Sequence, residues 1–325
     1  MLLKFIVKRL FMMIPVILGI TFISFVIISL APGNILTSLK MNPYISQKTI
    51  DMMVQAYGLN KPLLVRYGLW LWQVVHLNLG NSIYYHAPVM GLILSRALNT
   101  LILSLSAILV SWLVAMPVGI ISGMREGGWF DRVTGVLGYT GISIPSFFLA
   151  FLLLLIAAKT AVLPTGGTTS PLYNLLSPAD KLYDRFIHLI LPVTALAVPQ
   201  IALYARLIRA NIIEVKQSEF VSAVRARGLG HGRVVYVHIL KNAINPFITL
   251  AGYDFASLLG GAALVEAILN LQGLGTLLLK AVQSMDVFLL MGDILIGAAL
   301  LLIGNLIADV ALMYVDPRIK TQGER

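Results

Sequence analysis

The feature that most constrains this chain is a series of apolar stretches with few or no charges, each near the length that crosses a bilayer. A helix needs roughly 20 mainly apolar residues to span the hydrocarbon core. Residues 10–31 form such a run, closed by Pro32-Gly33, and nothing is charged between Arg96 and Arg125, which places a second span at 97–123. Residues 133–158 supply a third and 187–205 a fourth, the latter carrying Pro192 and Pro199. Bilayer helices tolerate proline when neighbouring groups satisfy the freed carbonyls. A fifth stretch, 248–268, includes Asp254 and Glu266, and a sixth, 287–315, includes Asp293 and Asp309. The expectation is an all-α integral membrane protein with six transmembrane helices.

Composition agrees. Charged residues are 12 % of the 325 and apolar residues 58 %, whereas a soluble domain devotes about a quarter of its residues to charge. Cysteine is absent, which removes disulfides, thiolate metal sites and a cysteine nucleophile. The net charge of +10 suggests nucleic acid only if it forms a basic face on a water-soluble domain. It does not. Lys4, Lys8, Arg9, Arg125, Arg132, the run from Arg206 to Lys241, and Arg318, Lys320 and Arg325 all fall on one side of the six-span topology. The opposite short loops hold Lys159, Lys181, Arg185 and Lys280. The positive-inside rule therefore makes both termini cytoplasmic and accounts for the charge without nucleic acid. The first apolar run is too long for the core of a cleaved signal peptide and is followed by a poor cleavage site, so it reads as an uncleaved span.

Two segments lie outside these spans. Residues 32–96 are too long for a simple connection. Their second half, from Pro62 to His76, suits a helix lying along the outer membrane surface with Trp70 and Trp72 at headgroup level. On the other side, residues 214–227 have helical spacing, with Phe220, Val221 and Val224 as an apolar stripe beside Glu219, Arg225 and Arg227. Gly228-Leu-Gly-His-Gly breaks that helix, because glycine accepts the left-handed backbone that ends one. A second helical pattern starts at Arg233 and runs through Val234, Val237 and Leu240. A pair of short helices hinged at glycine, with charges of both signs, suits a protein groove.

Chemistry is sparse. No G-x-x-x-x-G-K-[ST] phosphate loop occurs, so this chain binds no ATP by that route. His76, His86, His188, His231 and His238 never fall at the i, i+4 spacing of a helical metal pair. No Ser/His/Asp arrangement points to hydrolysis. Gly119-Ile-Ile-Ser-Gly123 allows two helices to approach closely. Asp254 and Asp293, costly at membrane depth, are the candidates for a wet translocation path, with an internal structural role preferred for Asp293.

The stretch Glu219-Phe-Val-Ser-Ala-Val-Arg-Ala-Arg-Gly-Leu, followed by His238-Ile-Leu-Lys-Asn-Ala-Ile-Asn-Pro246, resembles the coupling segment of ABC-importer permeases of the dipeptide, oligopeptide and nickel branch. Three further stretches agree: the opening helix ending in Pro32-Gly33, the loop motifs Tyr57-Gly-Leu-Asn-Lys-Pro and Leu79-Gly-Asn-Ser, and the closing Asn305-Leu-Ile-Ala-Asp-Val-Ala-Leu-Met-Tyr-Val-Asp-Pro-Arg-Ile. The long first loop resembles that of the B-type subunit. Two positions depart from the pattern: Val224 stands where a small residue is usual, and Gln272 replaces a common proline.

The resemblance implies a type I importer permease fold. Residues 1–31 would be the cytoplasmic N-terminus and first span, 32–96 an external loop, 97–315 the permease core with coupling segment 206–247, and 316–325 a cytoplasmic tail. It implies a bacterial inner-membrane location, a C-type permease partner, two ABC ATPases and an external substrate-binding protein. ATP and magnesium would sit on the ATPases, with no cofactor on this chain. Coupling would fall to Glu219, Phe220, Val221, Ala223, Val224, Arg225, Ala226, Arg227, Gly228, Leu229 and His238, with Phe220 and Val224 packed into the ATPase groove and the charges at its rim. The implied cargo is peptides; nickel, a metallophore or glutathione is the alternative within the family. A secondary transporter or channel working without ATPases is the alternative outside it.

Overall fold

The computed structural model describes residues 2–30, 46–56, 58, 60–243, 247 and 262–315. It is mostly helical and divides into two compact units. The first comprises Met1–Asn99 with Gly273–Leu302, the second Thr100–Gln272 with Ile303–Arg325.

The first unit opens with α1 (Leu2–Leu30), of which only Thr21 and Phe25 are buried. An apolar helix this exposed cannot be stable in water and belongs in lipid. Helix α2 (Gln47–Ala56) follows, and then α3 (Leu63–Val75) docks on α1. Tyr67 makes that joint. Its hydroxyl donates to the Leu18 carbonyl at 3.1 Å and lies 3.0 Å from Thr21 Oγ1. Its ring stacks 6.0 Å from Trp70, which packs with Phe25 and Met291. Trp70 is therefore buried, whereas Trp72 is exposed. Of the two tryptophans expected at headgroup level, Trp70 is turned toward α1 and its partners and Trp72 faces outward.

A small antiparallel ribbon, β1 (Asn81–Ser82) with β2 (Ala87–Pro88), pairs Asn81 with Pro88 and Ser82 with Ala87. It leads into α4 (Val89–Met124). Also in this unit lie α9 (Leu274–Gln283) and the first part of α10 (Val287–Val315). Asp286, fully buried just ahead of α10, ties ribbon to helix. One carboxylate oxygen accepts from Ser82 Oγ at 2.6 Å and from the Tyr84 N–H at 3.1 Å, and the other accepts from the Leu289 N–H at 3.1 Å. A carboxylate at a helix start satisfies orphan donors and suits the local dipole.

In the second unit, α4 runs on beside α7 (Pro178–Gln217), whose start is set by Ser177 as N-cap and Pro178 in the first turn. Gly119 and Gly123 sit where α7 comes closest. A Cβ at Gly119 would lie 2.6 Å from Ile208 Cβ, and one at Gly123 would lie 2.7 Å from Ile212 Cβ. Only glycine fits such a crossing, so the G-x-x-x-G pattern is an intrachain helix contact.

The third expected span is not one straight helix. It is α5 (Trp129–Ser143) and α6 (Ser146–Thr160), bent by 100° at the break. Pro145 lacks an N–H and forces Ile144 into extended backbone, with φ −90° and ψ 116°. Helices α4 and α7 also outrun the predicted spans, because their polar ends continue the same hydrogen-bond ladder past the apolar stretch.

Four described helices are long and apolar enough to cross a membrane, or five if the bent pair is one span. Most of the fifth expected span, including Asp254, lies outside the described residues; its end, 262–268, is helical. Glu266 there is buried and accepts from Thr100 Oγ1 at 2.7 Å. The turn that follows is held on Leu269, whose carbonyl accepts from the Gly167 N–H at 2.9 Å.

Candidate functional site

Residues 214–227 do not form one helix. Helix α7 ends at Gln217, Ser218 turns to extended backbone (φ −68°, ψ 148°), and α8 (Glu219–Ala226) starts afresh. Ser218 serves both helices. Its N–H and hydroxyl reach back to the Val215 carbonyl, at 3.2 and 2.7 Å, and its Oγ faces the Val221 N–H at 3.4 Å. A serine followed by Glu in the first helical turn is an N-cap signature that the sequence already carried. Glu219 at the start and Arg225 in the last turn both complement the helix dipole.

The corner after α8 is left-handed at Gly228, with φ +76° and nothing within 4 Å of a Cβ built there. The chain then makes a turn at His231–Arg233 and continues as a π-helical segment, Val234–Leu240. An α-helix was expected from Arg233 with Val237 on its apolar side. Widening to π spacing moves the inward positions to Val234 and Ile239 and leaves Val237 exposed. Wide turns of this kind are rare and recur at functional sites.

The stub has two faces. Val221 (0 % exposed) and Val224 (6 %) join Ile208, Ile212, Tyr204, Ala115, Val234, Ile239, Ala243 and Phe247 in one core. Val224 therefore packs inside this chain rather than in a partner's groove. The i, i+3 pair Val221/Val224 falls on one side of the short helix and Phe220 on another, so the three do not share a stripe. Phe220 is 51 % exposed, and its ring meets His238 edge-on with centroids 5.8 Å apart. Glu219, Ala223, Arg225, Ala226, Arg227 and Gly228 are exposed, and Leu229 is half-buried against the core. A valine at position 224 is accommodated because the neighbouring face is built from branched aliphatics that it fills.

Beside the stub lies a brace that the sequence reading missed. Asp131, 5 % exposed, pairs with Arg209 through both carboxylate oxygens, Nη2 to Oδ2 being 2.8 Å, and Nε and Ser122 Oγ also donate to it. The Gly127 N–H adds a bond at 2.9 Å. A two-pronged Arg–carboxylate pair fixes direction as well as distance. It ties the α4–α5 turn to α7 two turns before the stub. The available signal was a pair of carboxylates, Glu126 and Asp131, set between Arg125 and Arg132. Nearby, Lys216 Nζ stands 3.9 Å from Glu126 Oε2, an exposed pair of little energetic weight.

Asp293 is buried. Asp309 lies in α10. Among the described residues no group of three His, Asp or Glu side chains is placed to hold a metal ion.

The family of binding-protein-dependent transport system inner membrane components matches residues 115–321, a stretch that contains the stub, its core and the brace. The chain belongs to that family. Its relatives include the oligopeptide transport system permease protein AppB of Bacillus subtilis (strain 168), 36 % identical over 97 % of this chain and 99 % of that protein. The dipeptide transport system permease protein DppB of Escherichia coli (strain K12) is 30 % identical over 98 % and 99 %. Among solved structures, the MetNI methionine ABC transporter in inward-facing conformations matches with TM-score 0.52 and 17 % identity, over 70 % of this chain and 97 % of that one. This last likeness concerns the fold. The two-faced stub thus belongs to a membrane permease component, and its inward face is part of the permease's own core.

Proposed function

We propose that this permease is one of two subunits lining the path of an ATP-driven peptide importer, and that residues 218–240 carry the stroke of a partner ATPase into α7. The observation that carries the reading is the division of α8. Val221 and Val224 are locked into the core shared by α4 and α7, while Phe220, Arg225 and Arg227 stand free of it. A push on the outer face must move α7, because dispersion contacts at interior density transmit displacement rather than absorb it. Glu219, Ala223, Ala226, Gly228 and Leu229 shape the outer contact, and His238 supports Phe220 from behind.

In this reading ATP and magnesium bind the ATPase subunits, the chain itself catalyses nothing, a C-type permease completes the path, and an external binding protein delivers cargo. Six helices span the bacterial inner membrane, the fifth within 248–268. Both termini and the stub are cytoplasmic, and residues 32–96 are external. Asp254 lines the path. Burial supports an internal structural role for Asp293. Peptide cargo is inferred from the oligopeptide and dipeptide permeases it resembles.

Gly228→Asp tests the coupling role. The site has room for a side chain, although any side chain is strained at φ +76°; aspartate tolerates left-handed backbone better than most residues, so the variant should still insert and assemble. ATP-driven peptide uptake in proteoliposomes should be abolished. Undiminished uptake would remove the stub from the mechanism. Uptake that follows an ion gradient, with no ATPase co-purifying, would instead make the chain a secondary transporter.

A further inference from the structure

The first unit holds an open cleft of ≈ 680 Å³, counting the solvent at its mouth, whose lining residues all belong to that unit. One wall is cationic. Lys61 and Arg66 both line it, Gln55 and Gln73 add amides, and no carboxylate lines it among the described residues. The other wall is aromatic, from Phe25, Trp70 and Phe288.

Arg66 is half-buried, and its guanidinium lies 5.5 Å over the Phe25 ring, its one charge-stabilising contact among the described residues. Desolvation lowers its pKa from the ordinary arginine value, as for a cation taken from water without a counter-ion. Neither Lys61 nor Arg66 makes an ion pair among the described residues. The Trp70 indole N–H is buried and has no acceptor among the described residues, which adds a positive dipole beside the two cations.

The surroundings decide the kind of anion. Helix α3 exposes Leu64, Val65, Leu69, Trp72 and Val75, the surface of a helix lying at a membrane interface. Its neighbour α1 exposes apolar side chains along most of its length. A cleft lined by two cations and by aromatic and aliphatic side chains, on two helices with exposed apolar surfaces, matches a charged headgroup with a hydrocarbon tail. We propose that this cleft binds the phosphodiester of an anionic phospholipid, through Lys61 and Arg66, with an acyl chain along Leu69 and Phe288. Arginine suits a phosphodiester because its planar fork offers two donors to two oxygens.

The test uses the complete transporter in nanodiscs of phosphatidylcholine with and without phosphatidylglycerol, with retained lipids counted by native mass spectrometry. The wild type should hold phosphatidylglycerol over phosphatidylcholine by roughly tenfold at this site, and Lys61→Gln/Arg66→Gln should lose that preference. Lys48→Gln, outside the cleft, should keep it. If the double variant fails to assemble, Lys61→Gln alone should weaken retention and Arg66→Lys should preserve most of it. Equal retention by wild type and charge-removing variants overturns the proposal. So does displacement of phosphatidylglycerol by millimolar inorganic phosphate, which would make the ligand a free anion.

Discussion

The two units fasten the β1–β2 ribbon and the stub by opposite means. In the first, the β1–β2 ribbon is held to the start of α10 by one buried carboxylate, Asp286, which collects Ser82, Tyr84 and Leu289. In the second, the stub is held by valines pressed into an aliphatic core. A polar tie is directional and all-or-none, since each donor it releases is stranded. An apolar tie is graded and non-directional, and at interior density it passes displacement to its neighbours without depending on any one bond. Under the proposed coupling role, the stub's apolar fastening suits a part that passes motion to α7, and the ribbon's polar fastening suits a fixed one.

That contrast can be broken by experiment. Asp286→Ala should have the largest effect, because each polar group left unpaired costs about 1–3 kcal/mol. Hydrogen exchange across Ser82–Pro88 should rise sharply, and exchange as slow as wild type would remove the polar tie. Gly119→Val should follow at about 1–3 kcal/mol, since its side chain would collide with Ile208 and the Ala205 carbonyl. The thermal midpoint of the purified complex reads this loss. Val224→Ala should cost less than Asp286→Ala, within about 0.5–3 kcal/mol, and should lower the coupling of ATP hydrolysis to uptake in proportion rather than abolish it. Phe220→Ala should leave stability within about 0.5 kcal/mol while uncoupling hydrolysis from uptake. If Phe220→Ala destabilised as much as Val224→Ala, the division of the stub into two faces would be wrong.

Several parts of this protein were legible before any fold was known. Long uncharged stretches announced the membrane helices, because a chain in lipid must satisfy its backbone internally. The Gly119/Gly123 spacing announced a close crossing, and Gly228 a left-handed corner. Ser218 was legible too, but the helical spacing on either side of it hid the break.

The sequence by itself determined the membrane class, the helix-rich architecture and the place of the stub along the chain, since these follow from local hydropathy, proline and glycine. Only the tertiary structure decided which way the stub faces, that Val224 turns inward while Phe220 turns out, and that Asp131 grips Arg209. Those are contacts between residues far apart in sequence. Periodicity within one segment cannot say which neighbour will bury a side chain; packing against another helix does.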